Sequence, residues 1–150
     1  MNPFIVTLAA GTSTGDLTLY PSFLDPGTGA TTSGTKVRKA HEGMLISVTV
    51  KSDGTNGGYV EIYDLNGADA GADVNTLTAV TNTQKNTLVA AKKAVLLFTQ
   101  NFQGSAGAPV ISAGARPFAH GLAARFVAGA GSCELVLSVD GGYQVTTLAG

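Results

Sequence analysis

Hydrophobic and polar residues alternate at period two along several stretches of the chain, most clearly over Leu45–Tyr63. Leu45–Val50 and Tyr59–Tyr63 each alternate in this way, which is the pattern of strands with one buried face. The residues between them include Asp53-Gly54 and Asn56-Gly57, dipeptides that tolerate the positive φ angles of hairpin turns. We therefore predict an antiparallel β-hairpin over Leu45–Tyr63.

Similar but shorter patterns predict further strands on both sides of this hairpin. In the N-terminal part we expect strands at Phe4–Ala10 and Leu17–Tyr20. Lys36–Ala40 then leads into the hairpin after a turn at His41–Gly43. In the C-terminal part we predict a strand at Val95–Phe102 and then a loop at Gly104–Gly114, in which Pro109–Ile111 pairs briefly with an edge. A second hairpin is predicted from Phe118–Val127 and Glu134–Val139. After a turn at Asp140–Gly142, Tyr143–Leu148 is predicted to be the last strand.

One segment has the period of a helix instead. Asn82–Ala94 carries apolar residues at i, i+3 and i+7 from Leu88, and Asn82 or Thr83 can cap its start. Many strands separated by glycine turns, with one short helix, indicate a mainly β protein built as an antiparallel β-sandwich.

The N-terminal part differs from the rest in composition. Pro21–Gly34 is rich in Gly, Pro, Ser and Thr, which predicts a loop or a flexible arm. We therefore divide the chain into residues 1–34, which contain short strands and an arm that packs on its own chain or on a neighbour, and residues 35–150, which form the sandwich.

Composition and charge narrow the possible functions. Charged residues are only 13% of the chain and there are 20 glycines, so the surface is poor in charge and large areas of it are expected to be covered by partners. The net charge is -1 and the one dense basic stretch is Lys36–Lys39, which argues against binding to nucleic acid.

Cys133 is the single cysteine, so we expect no intrachain disulfide. The start of the chain lacks a signal-peptide pattern, and no apolar run reaches the ~20 residues of a membrane span, so we expect synthesis in a cytoplasm and no membrane partner.

Candidate catalytic and metal-binding residues are few. His41 precedes a strand next to Glu42, and His120 lies near the start of another; structural roles are expected for both. The oxygen-bearing side chains between Asp64 and Asp73 have the chemistry of calcium ligands but not the spacing of an EF-hand, so a solvated loop is the preferred interpretation. Arg125 lies within a strand pattern and should point outward or pair with an acid. We expect no catalytic residues, no metal and no cofactor.

Four stretches of the chain together resemble small structural proteins of tailed bacteriophages. They are VRKAHEGMLISVTVKSDGTNGGYVEIYD, LLFTQNF, ARPFAHGLAARFVAGAG and ELVLSVDGGY, and they span about Val37 to Tyr143. The resemblance implies a jelly-roll-like β-sandwich on a virion, as a head decoration (cement) protein or another minor head or tail component, without catalytic residues. The matching residues are Gly43, Tyr59–Asp64, Arg116, Phe118, Gly121, Leu122 and Leu135–Val139.

Two functions are therefore considered. The first is a virion structural protein that is made in the host cytoplasm and binds a capsid lattice as a homo-oligomer, with a trimer favoured and the major capsid protein or another virion protein as its partner. Repeated weak contacts would give such an oligomer strong attachment. The second is a carbohydrate-binding β-sandwich of a phage tail or fibre, in which Tyr20, Tyr59, Tyr63 and Tyr143 supply stacking faces.

A group of apolar residues near the N-terminus is the candidate contact site. Two short strands can hardly bury these residues alone. They could complete the sandwich edge of their own chain, or lie across a neighbouring protomer or the capsid. We favour the second interpretation because Pro21–Gly34 is long enough to act as a tether. The group consists of Phe4, Ile5, Val6, Leu17, Leu19, Tyr20 and Phe23.

Overall fold

A computed structural model describes the backbone of residues 2–11, 17–20, 36–65, 69, 79–104 and 110–147, and the side chains of residues 7, 8, 17, 43–65, 69, 80–104 and 114–140. The described chain is mainly β-structure with one helix, as the sequence predicts. Its elements are, in order, β1 (Asn2–Gly11), β2 (Leu17–Tyr20), β3 (Lys36–Ser52), β4 (Gly58–Leu65), β5 (Ala79–Val80), α1 (Asn82–Ala90), β6 (Ala94–Phe102), β7 (Val110–Phe118), β8 (Leu122–Val127) and β9 (Ser132–Thr147).

The strands form two antiparallel sheets that we call the front and back sheets. The front sheet has the order β1–β9–β3–β7, and the back sheet has the order β5–β2–β8–β4–β6. The end of β1 joins the two, because Ala10 and Gly11 pair in parallel with Phe126 and Val127 of β8. β1 pairs with β9, β2 with β8, β3 with β7 and β4 with β6. These pairs are nested along the chain: the first described strand pairs with the last, the second with the second last, and so on inward.

The hairpin predicted over Leu45–Tyr63 is wrong, although both of its strands exist. β3 pairs with β7 and β9 in the front sheet, whereas β4 pairs with β6 and β8 in the back sheet. Residues 53–57 therefore form an arch from one sheet to the other. Val50 and Val60 are both fully buried in one core cluster, since the inward faces of the two strands meet across the core. Gly54 has φ +90°, so a residue suited to a hairpin turn serves the arch equally well.

The second predicted hairpin, Phe118–Val127 with Glu134–Val139, is wrong for the same reason. β8 belongs to the back sheet and β9 to the front sheet. Its expected first strand is also divided, because Phe118 ends β7 and residues 119–121 turn the chain into β8. Residues 128–131 form a second arch between the sheets.

The carboxylate of Asp53 holds the two arches together. Its Oδ1 accepts the N–H groups of Thr55 at 2.9 Å and Asn56 at 2.8 Å, and its Oδ2 accepts the Ser132 N–H at 3.1 Å. Hydrogen bonds from the Asn56 backbone and side chain, and then from Thr55 and Ser132, hold the pKa of this carboxyl well below its usual range. Gly131 has φ +90°, and a Cβ there would meet the Asp53 carboxylate, so a side chain at this position would disturb both arches.

β3 and β9 continue through the two turns predicted at His41–Gly43 and Asp140–Gly142. A register shift between Ala40 and Gly43 takes the place of the first turn, and both strands run on as one ladder. Of the predicted strand Tyr143–Leu148, the described residues Tyr143–Thr147 are thus part of β9 rather than a separate strand. Similarly, Val110–Gly114 of the loop predicted at Gly104–Gly114 belong to β7, which pairs with β3. The predicted arm Pro21–Gly34 lies outside the described residues.

A single apolar cluster fills the space between the two sheets. The rings of Phe102 and Phe126 stack there with centroids 5.3 Å apart. Each fully buried Leu or Val contributes roughly 1.5–3 kcal/mol, so this cluster is the main stabilising feature of the fold. Its buried members are Leu8, Leu45, Val48, Val50, Val60, Ile62, Phe102, Phe118, Leu122, Ala124, Phe126, Cys133, Leu135, Leu137 and Val139.

Helix α1 covers the outer face of the back sheet and creates a second apolar cluster. All six residues of β8 are buried, because alternate side chains face the central core and the helix side. Thr81 caps the helix: its hydroxyl accepts the Gln84 N–H at 3.2 Å, and the Gln84 side chain accepts the Thr81 N–H at 2.9 Å. The predicted caps, Asn82 and Thr83, lie one and two residues too late. The second cluster consists of Leu17, Tyr63, Leu65, Val80, Leu88, Ala94 and Ala123.

The helix ends earlier than the predicted Ala94. Its last residue is Ala90, and Lys92 at φ 59° reverses the chain so that β6 begins at Ala94. The strand that follows is confirmed within one residue of its predicted start, but a register shift beside Leu97 places Leu96 and Phe98 on opposite faces.

We predict that the packing of β1 against β9 is essential to the core, and adjacent residues of β1 provide a matched test. Leu8 is 3% exposed and lies opposite Cys133, which is 1% exposed, whereas Thr7 is exposed on the other face. Leu8→Asp buries a charge and should lower the free energy of unfolding by several kcal/mol, while Thr7→Asp, which lies opposite the exposed Glu134, should lower it by less than about 1 kcal/mol.

The thiol of Cys133 reports the outcome. Burial raises its pKa to about 12, so it should resist a thiol reagent in the native protein and in Thr7→Asp but react rapidly in Leu8→Asp. Equal protection of the thiol in both variants would mean that β1 does not belong to this core.

Candidate functional site

The predicted contact residues near the N-terminus lie mostly in strands of the chain's own sheets. Phe4, Ile5 and Val6 pair with Leu137, Val136 and Leu135 of β9. Strand pairing thus supports the interpretation in which this segment completes its own protomer. Contact of the same residues with a partner stays a prediction. Of the others, Leu17 is fully buried in the second cluster, Leu19 and Tyr20 pair with Ala123 and Leu122 of β8, and Phe23 lies outside the described residues.

The two histidines lie in different parts of the fold. His41 belongs to β3. His120 lies in the turn between β7 and β8, with Nδ1 3.8 Å from Oδ1 of Asp64 and its side chain 55% exposed. This distance is too long for a hydrogen bond.

Asp64 acts as a backbone acceptor in the turn that carries His120. Its Oδ2 accepts the Ala119 N–H at 2.8 Å, and its Oδ1 accepts the N–H groups of His120 at 2.9 Å and Gly121 at 3.2 Å. Three charge-assisted bonds to one carboxylate fix the turn between the sheets. Its oxygens are therefore used within the protein.

Asp64 and Asp69 are the described acids of the segment Asp64–Asp73, whose side chains have the chemistry of calcium ligands. Oδ1 of Asp69 lies 3.3 Å from Nζ of Lys93, with which it forms an ion pair. Asn66 and Asp73 lie outside the described residues. Within the described part of the chain, no three His, Cys, Asp or Glu side chains are grouped closely enough to hold a metal ion.

A cleft of about 440 Å³ opens between the two sheets beside the turn from β7 to β8. Gly43, Pro117 and Phe118 line its front-sheet side, with Asp64 and Ala119 at the turn. Because the Asp64 carboxylate is already bonded to three backbone groups, the cleft offers mainly apolar and backbone surface.

A buried polar network lies between α1 and the back sheet. Nε of Arg125 donates to Oε2 of Glu61 at 2.6 Å, and its Nη1 donates to Oδ1 of Asn82 at 2.8 Å. Tyr63 OH donates to the same Glu61 oxygen at 3.3 Å. The prediction that Arg125 pairs with an acid is confirmed, and the pair links β8 and β4 to the first residue of the helix.

Lys85 covers this network from the helix. Its Nζ lies 5.4 Å from the centroid of the Tyr63 ring, and the residue is only 7% exposed. Burial, followed by the nearby Arg125 charge, lowers the pKa of Lys85. Burial and the Glu61 charge raise the pKa of Tyr63 to about 12. Both shifts indicate a dry interface, and Tyr63, at 6% exposed, has no free face for stacking on a ligand.

Two features lie outside the packed body. The first is the ribbon formed where Lys36–Ala40 pairs with Tyr143–Thr147, which we call the β3–β9 ribbon. β7 begins to pair with β3 only at Gly43, and β1 pairs with β9 only up to Val139. Within the described residues the ribbon therefore has two strands and two unpaired edges.

The second feature is the outer edge of the back sheet. β6 pairs with β4 and with no other described strand. Val95 and Leu96 are 54% and 49% exposed on it, and Val89 at the end of α1 is 44% exposed. These are the three large hydrophobic side chains that are exposed among those described.

No protein-family model, curated protein or solved structure matches this chain. The described helix is also too short to cross a membrane.

We predict that the network under α1 is held by Arg125 and not by Lys85. Arg125→Met leaves the Glu61 carboxylate, which is 14% exposed, without its guanidinium partner and should lower the free energy of unfolding by about 3 kcal/mol. Lys85→Met removes a buried amine that has no hydrogen-bond acceptor among the described residues, so stability should stay within about 1 kcal/mol of the original or rise. Urea unfolding with equal m-values measures both changes. Equal losses in the two variants would contradict this assignment.

Proposed function

We propose that this chain is a virion structural protein of a tailed bacteriophage, and specifically a capsid decoration or cement protein that binds the head lattice as a homo-oligomer. The proposal starts from the resemblance of Val37–Tyr143 to such proteins. The expected trimer and the identity of the partner as the major capsid protein or another virion protein are parts of the same proposal.

The strand order supports the finer assignment of the fold as a jelly-roll sandwich. If β5 is set aside, the described part of the chain contains eight strands whose nested pairs are β1·β9, β2·β8, β3·β7 and β4·β6. Wrapping four such pairs into two facing sheets produces the jelly roll, an architecture common among viral capsid proteins and lectins. Fold alone does not decide between these uses, so the choice depends on the surface.

The observation that carries the proposal is the β3–β9 ribbon. A two-stranded ribbon is marginally stable in water by itself, yet here it extends past the strands that support the rest of β3 and β9. A ribbon of this kind gains stability when it lies on another surface, either through its unpaired edges or through its faces. We infer that it docks on the capsid lattice.

The charge of the ribbon indicates the nature of that surface. Lys36, Arg38 and Lys39 are three of the nine Lys and Arg residues in the chain, whose net charge is -1. Their register partners in β9 are Thr147, Val145 and Gln144, none of which is acidic. An acidic patch on the lattice would attract this positive ribbon and orient the protein.

The carbohydrate-binding alternative has weaker support. Of its four tyrosines, Tyr63 is buried in the network under α1, and Tyr59 is half-buried in β4. Glycan binding remains a possible outcome of the test below.

Co-sedimentation with empty heads tests the proposal, with heads assembled from the major capsid protein of the phage that encodes this chain. Lys36→Ser, Arg38→Ser and Lys39→Ser together should weaken binding at least tenfold, because three charge contacts of roughly 0.5 kcal/mol each amount to about 1.4 kcal/mol. The control replaces Lys51, Lys92 and Lys93 by Ser. It removes the same charge from exposed positions of the body and should leave binding nearly unchanged.

Three results would count against the proposal. They are failure of the unaltered protein to bind heads, equal weakening in the ribbon and control variants, and saturable binding to a glycan array in the absence of head binding.

A further inference from the structure

The β3–β9 ribbon has two faces, and the register of the front sheet tells which of them continues the core side. Over Cys133–Val139 of β9, the odd-numbered residues are buried and the even-numbered ones are half-buried or exposed. Successive residues of a strand lie on opposite faces, so the odd-numbered positions face the back sheet. The irregularity between Ala40 and Gly43 adds its extra residue to β3 and not to β9, so β9 keeps this alternation into the ribbon.

The face that continues the core side, which we call the inner face, carries two of the three cations of the ribbon. The odd-numbered positions of β9 there pair with Lys36, Arg38 and Ala40, and residues directly opposite each other in antiparallel strands share a face. Lys39 pairs with Gln144 and therefore lies on the outer face. The inner positions are Lys36, Arg38, Ala40, Tyr143, Val145 and Thr147.

The cleft beside the turn from β7 to β8 lies where the inner face begins. Gly43 lines this cleft of about 440 Å³ and pairs with Gly141 of β9, next to the ribbon. Pro117 and Phe118 supply carbon surface, whereas the Asp64 carboxylate is already bonded to three backbone N–H groups. The cleft and the inner face therefore adjoin, with apolar surface near the body and positive charge further out.

We propose that the cleft and the inner face together bind one extended segment of a partner protein. An apolar side chain of the segment enters the cleft, and two acidic side chains reach Arg38 and Lys36. This inference deepens and rests on the proposed function, under which the segment belongs to the capsid lattice. Charge favours such a partner over a second ribbon, because two ribbons would bring like charges together.

The register also sets the spacing within the segment. Gly141 pairs with Gly43 at the cleft, and the partners of Arg38 and Lys36 lie four and six residues further along β9. An extended segment rises about 3.3 Å per residue, as these strands do. Acidic residues four and six positions from the apolar residue therefore lie over the two cations and on one side of the segment. At three and five positions they would point away from the ribbon.

Variants on the two faces of the ribbon test the assignment in co-sedimentation with heads. Lys36→Glu, on the inner face, should raise the dissociation constant about fivefold or more, because it replaces attraction by repulsion. Lys39→Glu makes the same change on the outer face and should raise it less than about twofold, since a solvated charge away from the contact contributes little.

Two further variants test the cleft. Ala119→Trp should fill its mouth and weaken head binding about fivefold or more, because the apolar side chain of the partner loses its place. Ala115→Trp makes the same change in β7 at a position that does not line the cleft, and binding should stay within about twofold of the original. Both alanines are exposed, so both variants should keep the melting temperature of the original protein.

Short peptides give a readout that needs no heads. Fluorescence anisotropy with the labelled peptides FTSTDTD and DTDTSTF covers both chain directions, with the acids four and six positions from the phenylalanine. The controls FTSDTDT and TDTDSTF have the same composition with the acids at three and five. One of the first two peptides should bind at least threefold more tightly than its control, and Lys36→Glu should abolish this preference.

Equal weakening by Lys36→Glu and Lys39→Glu, normal head binding by Ala119→Trp, or equal binding of the peptides and their controls would each overturn this proposal. If the unaltered protein still binds heads, the proposed function stands in all three cases. Failure to bind heads, together with peptide binding that depends on the spacing of the acids, would overturn the proposed virion function and leave this surface as a binding site for an acidic segment.

Discussion

The structure depends on one apolar core that the two sheets share. Within each sheet, strands from the first half of the chain alternate with strands from the second half. Val50 at the end of β3 and Val60 near the start of β4 are close in sequence but face each other from opposite sheets. Each arch must therefore span the thickness of the core, which is ≈ 10 Å when sheets pack face to face. β1 and β9, the most distant strands in sequence, must also meet, so stability depends on long-range contacts.

Two carboxylates fix these crossings at opposite ends of β4. Asp53 precedes the strand and accepts hydrogen bonds from both arches. Asp64 near its end accepts three from the turn between β7 and β8. In a chain with only ten acidic residues, these two accept backbone N–H groups at the arches and at the turn between β7 and β8. The acids thus stabilise the body from which the β3–β9 ribbon extends.

The sequence allowed good prediction of individual elements but not of their partners. The alternation in Leu45–Val50 shows that one face is buried, but it does not show which strand lies beyond the turn, because Asp53-Gly54 suits an arch as well as a hairpin. The pairing of Arg125 with an acid was predictable from a charge inside a strand pattern. The exposed β6 edge was not, since Leu96 and Phe98 have the same period-two pattern although one is 49% exposed and the other packs against the core. A register shift between Ile62 and Tyr63 leaves Leu97 as an extra residue of β6, so Leu96 and Phe98 lie on opposite faces of the sheet, and the sequence pattern does not show this bulge.

The most direct test of the account is an NMR measurement of backbone contacts between strands. The nested pairing predicts nuclear Overhauser effects between Val50 and Leu135 and between Val60 and Phe126, which are register partners in the front and back sheets. Val50 and Val60 should show contacts only between their side chains, across the core. A ladder of backbone contacts joining Leu45–Val50 directly to Tyr59–Tyr63 would mean that the chain forms the local hairpin, and would contradict the two-sheet arrangement on which everything else depends.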